Sequence, residues 1–161
     1  MIDNAQSPLI DPSIVAPVKA VAAPKTKKQT ADRGGFVWGV GRRKSSVARV
    51  RIKPGTGTIV INDKKIDEYF SLTQDRDTLV APLKCCNVEK SFDIYINATG
   101  GGTTGQAGAG LLGIARALMN YDDAFLVSLR ESDMLTRDPR MKERKKPGQR
   151  GARRKYQFSK R

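Results

Sequence analysis

At 161 residues the chain suits one modest domain plus extensions, and thirty Lys and Arg against sixteen Asp and Glu give it a formal charge of +14. A pI near 10.1 points to nucleic acid or an anionic membrane surface as the partner. The chain has no His, and its two cysteines, Cys85 and Cys86, are adjacent, so it offers neither a disulfide framework nor a zinc site and fits a reducing, cytoplasmic compartment.

Residues 1–35 read as a disordered N-terminal extension. They hold four of the eight prolines and no aromatic residue, and the run VAPVKAVAAPKTKKQ cannot bury enough surface to offset its ordering entropy. Asp3 and Asp11 precede the first basic residue, Lys19, which is the pattern of neither a secretory signal nor an Arg-rich transit peptide. Nowhere do about eighteen apolar residues run together, so nothing is expected to span a bilayer.

Order is expected from Phe36, in a globular core over residues 36–136. The segment FVWGVGRRKSSVARVRIKPG has strand composition. Ala48, Val50 and Ile52 alternate with Arg49, Arg51 and Lys53, so one face enters a core and the other becomes a basic stripe. Arg42, Arg43 and Lys44 precede it on a Gly-flanked loop. The six positive charges of residues 42–53, with no negative one among them, favour a phosphate-binding face over a merely solvated one.

Pro54-Gly55-Thr56-Gly57 reads as a hairpin turn that returns TIVIN as a second strand, and Asn62-Asp63 marks another turn. Residues 73–81 have a weaker helical pattern that Pro82 is expected to end. FDIYIN, residues 92–97, alternates as a strand. Cys85 and Cys86, between these elements, read as small packing residues. The Gly-rich stretch at residues 100–108 lies between strand and helix but lacks the closing Gly-Lys-Ser/Thr of a P-loop. Two readings stand there: a backbone approach to RNA phosphate with Gln106 as a polar contact, or tight turning and close helix packing. Residues 104–120 form the best helix, with Leu111, Ala115, Leu118 and Met119 on one face and Leu112 and Ile114 at its margins. Arg116 falls off the apolar centre, toward solvent or RNA. Asp122 or Asp123 suits the N-cap of a shorter helix that packs Phe125, Leu126 and Leu129 inward.

The last stretch, residues 137–161, reads RDPRMKERKKPGQRGARRKYQFSKR; twelve of its residues are Lys or Arg and two are acidic. Such a segment builds no core, and like charge at this density needs an anion along it, so it reads as an extended basic tail for a phosphate backbone. Arg137, Arg140, Arg144, Lys145, Lys146, Arg150, Arg153, Arg154 and Lys155 are its candidate RNA contacts. No nucleophile-and-base pair or metal constellation is present, so neither an enzyme nor a cofactor is expected. The competing class is a small nucleic-acid enzyme or nucleotide hydrolase using the Gly-rich loop. A membrane-surface binder lacks the basic amphipathic helix it would need.

Four segments together resemble the bacterial form of the ribosomal protein S-nine family: GVGRRKSSVARV (39–50), GGGTTGQAGA (100–109), GIARAL (113–118) and LTRDPRMKERKKPGQRGARRKYQFSKR (135–161). Leu111 departs from that family, which usually carries Arg there. The resemblance implies an α/β (α+β) domain, a small sheet packed with helices, similar to the second domain of ribosomal protein S-five. It implies a structural, non-enzymatic component of the small ribosomal subunit, with small-subunit rRNA and neighbouring ribosomal proteins as partners and no membrane. It also implies that the tail reaches peptidyl-site tRNA, with Ser159, Lys160 and Arg161 at the contact.

Overall fold

The computed structural model describes residues 34–160; the expectations for residues 1–33 and for Arg161 lie outside them. The sheet is built by alternation. In β2 (Ser46–Pro54), Ala48, Val50 and Ile52 are fully buried, while Arg49 is exposed and Arg51 and Lys53 are half-buried on the other face. β1 (Val37–Arg43) pairs antiparallel with β2, Trp38 opposite Arg51 and Val40 opposite Arg49. Arg42 and Arg43 are therefore strand residues, not loop residues as expected, and the turn is Lys44-Ser45, with Lys44 at φ 51°. The apolar beat of β1 is hidden by its glycines: Val37, Gly39 and Gly41 face inward.

TIVIN does not return beside β2. β3 (Ile59–Ile61) runs parallel to β5 (Phe92–Thr99), and β5 lies between β2 and β3, giving the order β1-β2-β5-β3-β4. The expected hairpin at residues 54–57 is instead a crossover, because β5 supplies the partners its backbone needs. Asp93 Oδ1 accepts from Thr56 N at 2.9 Å and Thr58 N at 3.2 Å, and Thr58 O accepts from Ile94 N at 2.8 Å. The Asn62-Asp63 turn is present, both residues at positive φ, and leads into β4 (Lys64–Lys65). A parallel pair requires a crossover connection, here α1 (Ile66–Tyr69) and α2 (Thr73–Cys85).

Pro82 lies inside α2 rather than ending it. An interior proline costs about 3 kcal/mol. Burial of Leu79 and Leu83, each about 1.5–3 kcal/mol, offsets that. The helix resumes with Cys86 N donating to Pro82 O at 3.2 Å. α3 (Thr103–Tyr121) packs against β1 and β2 and against α2 beside it, so it buries more of its circumference than the sequence pattern implies. Leu112, Ile114 and Ala117 are core, whereas Leu111 and Met119, expected at the centre of the apolar face, are half-buried. α4 (Phe125–Glu131) buries Leu129, with Phe125 and Leu126 half-buried; its N-cap is Ala124, not an aspartate, and Asp122 Oδ1 accepts from Ala124 N at 2.9 Å. Residues 132–160 contain no helix or strand.

Cys85 closes α2, and its thiol lies 3.1 Å from Ser132 Oγ. Burial, reinforced by Cys85, pushes the Cys86 thiol up to about 11. The nucleophilic thiolate is then scarce at neutral pH. Alkylation of Cys86 should run roughly two orders of magnitude slower than that of an ordinary cysteine near pH 7, accelerating only as pH approaches 11. Mass spectrometry of iodoacetamide-treated protein across a pH series measures this; a rate that levels off near pH 9 contradicts it.

Candidate nucleic-acid interface

Both long helices pack on one side of the sheet, and no element among the described residues covers the other side. Register sets what stands on that open face. One row across it reads Trp38, Arg51, Tyr95, Val60, Lys65; the next reads Val40, Arg49, Asn97. Arg51 is held in place by aromatic rings, its guanidinium 5.4 Å from the Phe36 centroid and 5.2 Å from that of Tyr95. Lys53 Nζ lies 5.7 and 5.8 Å from the same two rings. These two rings pack edge to face. Asp93 is the one acidic strand residue on this face among the described residues. Its carboxyl, bonded to the backbone N–H groups of Thr56 and Thr58, is held below the usual carboxylate range. Among the described residues, Arg42, Lys44, Arg49, Arg51 and Lys53 have no carboxylate within ion-pair distance.

The hairpin tip at Lys44-Ser45 meets the Gly-rich loop, and together they line a cleft with Thr103 and Thr104. Gly100 and Gly101 have positive φ, and a Cβ on Gly101 would stand 2.0 Å from Ser46 Oγ. Buried Ser46 donates to Gly100 O at 3.1 Å. These glycines thus serve close packing of the loop on the hairpin. Gln106 is committed inward: its Oε1 accepts from Tyr69 Oη at 2.6 Å and its Nε2 donates to Gly100 O at 3.1 Å. Arg116 Nη1 donates to Val40 O at 2.7 Å, and Asn120 Nδ2 donates to Trp38 O at 2.9 Å, so side chains of α3 cap the outer edge of β1.

Arg43 also turns inward. Its Nε donates to Asp138 Oδ2 at 3.3 Å and its Nη1 to Thr104 O at 3.2 Å, beside Leu111. Asp138 is shared with Arg140, whose Nη2 donates to it at 2.8 Å. The Arg140 guanidinium and backbone N–H, with Arg43 behind them, hold the Asp138 carboxyl well below the usual carboxylate range. A depressed carboxylate contributes its link above its unfolded pKa and loses it as pH falls through the folded one, so Asp138, held charged chiefly by Arg140, is available to Arg43 throughout the neutral range. The structure therefore separates the basic candidates into two groups. Arg43, Arg116, Arg140 and Arg153 have internal partners, Arg153 Nε donating to Glu143 Oε1 at 2.8 Å. Arg137, Arg144, Lys145, Lys146, Arg150, Arg154, Lys155 and Lys160 are exposed, with no carboxylate partner among the described residues. The Arg150 guanidinium stacks 5.2 Å from the Tyr156 centroid. Ser159 is exposed as well.

The apolar patch on the open face, an indole beside a valine, does not follow from the sequence reading. Trp38 and Val40 stand there, 44% and 42% exposed. Strict alternation from Val37 through two glycines was the available signal.

Residues 41–161 match the family model described as Ribosomal protein S9/S16. The chain is similar to the small ribosomal subunit protein uS9 of Rhodopirellula baltica, 56% identical over 127 residues that cover 79% of this chain and 93% of that protein. It is similar also to the small ribosomal subunit protein uS9 of Malacoplasma penetrans, 54% identical over 123 residues covering 76% and 95% of the two chains.

Proposed function

We propose, from the premise that this chain belongs to the ribosomal protein S9/S16 family, that it is a structural component of the small ribosomal subunit that binds small-subunit rRNA. The family is structural and non-enzymatic, and the chain is accordingly a ribosomal protein and not an enzyme. The observation that carries the rRNA reading is the open sheet face, where Arg49 and Arg51 stand without a carboxylate partner among the described residues, and Lys53 faces Asp93 across the strand pair without an ion pair. Arg presents a planar fork that holds two phosphate oxygens, and its positions here are fixed by strand register and, for Arg51, by flanking rings. Arg42 and Lys44 at the end of the hairpin extend the same patch. Residues 137–161 act as a basic arm that neutralises RNA phosphates and reaches peptidyl-site tRNA. The core is read as similar to the second domain of ribosomal protein S-five. Neighbouring small-subunit ribosomal proteins complete the partners, and the cytoplasmic ribosome is the location. No helix among the described residues is long and apolar enough to cross a membrane.

Ending the chain at Ser159 tests the tRNA contact apart from assembly. Lys160 and Arg161 are two of thirty basic residues, so general attraction to RNA is nearly unchanged and subunits should still incorporate the protein. The lost contact should weaken peptidyl-site tRNA binding several-fold, since charged hydrogen bonds of about 1.5–3 kcal/mol are reduced by salt and solvent. Dissociation of tRNA from purified subunits measures it; unaltered dissociation with normal incorporation removes the tail tip from the tRNA site.

A further inference from the structure

Resting on the rRNA reading, we propose that the open face of the sheet is a stacking platform for unpaired RNA bases. Trp38 is the platform, with Arg49 and Asn97 in the adjoining row as its phosphate and base-edge contacts.

Three observations favour unpaired nucleotides over other occupants. The face joins two properties that seldom share one patch: a large exposed apolar surface, the Trp38 indole beside Val40, and cations directly across the strand pair from them, Arg51 opposite Trp38 and Arg49 opposite Val40. A partner that satisfies both must present a flat apolar face and a negative charge within one residue's length, which a nucleotide does. A duplex presents its phosphates but keeps its base faces stacked, so it would leave the indole unused. The cations are also prevented from folding over the indole, because Arg51 and Lys53 are drawn to the Phe36 and Tyr95 rings. Finally, a peptide adding itself as a strand beside β1 meets carbonyls already taken: Trp38 O accepts from Asn120 and Val40 O from Arg116. The main-chain route to a protein partner is closed at this edge while the face itself stays open.

Trp38 is the single tryptophan of the chain, so its fluorescence reports on the platform alone. The test titrates the full chain with a short oligouridylate and with a blunt RNA duplex of equal charge. Oligouridylate should quench Trp38 strongly, while the duplex binds with little change. Trp38→Ala should weaken oligouridylate about tenfold, given stacking of about 1–3 kcal/mol per base, and leave duplex affinity within about twofold. Trp38→Phe should retain most of the affinity. Since Trp38 is exposed, both variants should keep the wild-type circular dichroism, and Asn97→Ala, with the indole intact, should weaken oligouridylate with quenching preserved. Equal quenching by duplex and single strand, or unchanged oligouridylate affinity in Trp38→Ala, overturns the platform and leaves rRNA binding standing. If neither RNA binds at low salt, the rRNA reading falls and the platform with it.

Discussion

Removing residues 137–161 is expected to flatten the salt dependence of binding to a small-subunit rRNA fragment. Each phosphate neutralised contributes about 0.7–0.9 to the slope of log affinity against log salt. The segment carries twelve of the thirty basic residues and two of the sixteen acidic ones. Arg144, Lys145, Lys146, Arg150, Arg154 and Lys155 are exposed without a carboxylate partner among the described residues. If each of these six meets one phosphate, truncation should lower the slope by about 4 to 5. Affinity at low salt should fall by orders of magnitude, while the core retains a shallower slope from residues 42–53. Filter binding over a salt series measures both quantities. The same slope in the truncated protein would mean that the segment does not touch phosphate.

The largest effect on the fold should come from one methyl group at Gly41. A Cβ there would stand 1.9 Å from the carbonyl oxygen of Ala109 and 2.5 Å from the nitrogen of Gly113, both in the backbone of α3. Backbone cannot rotate away as a side chain can, so β1 and α3 must separate, and α3 roofs β1 and β2 together. Overpacking of a close contact costs typically about 1–3 kcal/mol, and a rigid backbone neighbour puts Gly41→Ala at or above about 3 kcal/mol. Gly102→Ala is the control for space: its Cβ meets nothing within 4 Å, and because Gly102 is the N-cap of α3, where Ala is disfavoured, the change should cost about 1 kcal/mol at most. Urea denaturation of the two variants compares them directly. A Gly41→Ala protein as stable as the control would show that the strand and helix are not in contact.

Face was legible in the sequence where side chains mark it. Ala48, Val50 and Ile52 announced a buried side and Arg49, Arg51 and Lys53 an outer one, because period-two alternation is a local property. Partner was not legible. Nothing local in TIVIN says that β5 rather than β2 will lie beside it; that depends on Asp93, remote in sequence, capping the crossover. Pro82 misled because helix propensity weighs the proline itself and not the leucines buried around it. In the site, charge alone does not distinguish a cation awaiting a phosphate from one paired within the chain. Arg43 and Arg49 look alike in sequence, yet one bonds Asp138 and the other stands free of carboxylates among the described residues. Trp38 was hidden by glycines, which leave no apolar mark on the inner face of β1.

The central place of β5 also governs the order in which this molecule can be put together. The β1–β2 hairpin and the β3–β4 hairpin are each local in sequence and can close on a microsecond scale. They lie on opposite sides of a strand that the ribosome delivers only after the whole of α2. Until Phe92–Thr99 slides between them, Val50 and Ile52 on one piece and Ile59 and Ile61 on the other have no common roof. Loop closure, rather than strand propensity, then sets the pace, since a long connection must lose its freedom before any non-local pair forms. During vectorial synthesis the nascent chain passes through an interval with two unroofed ribbons, which is when it is most exposed to misassociation with another copy of itself.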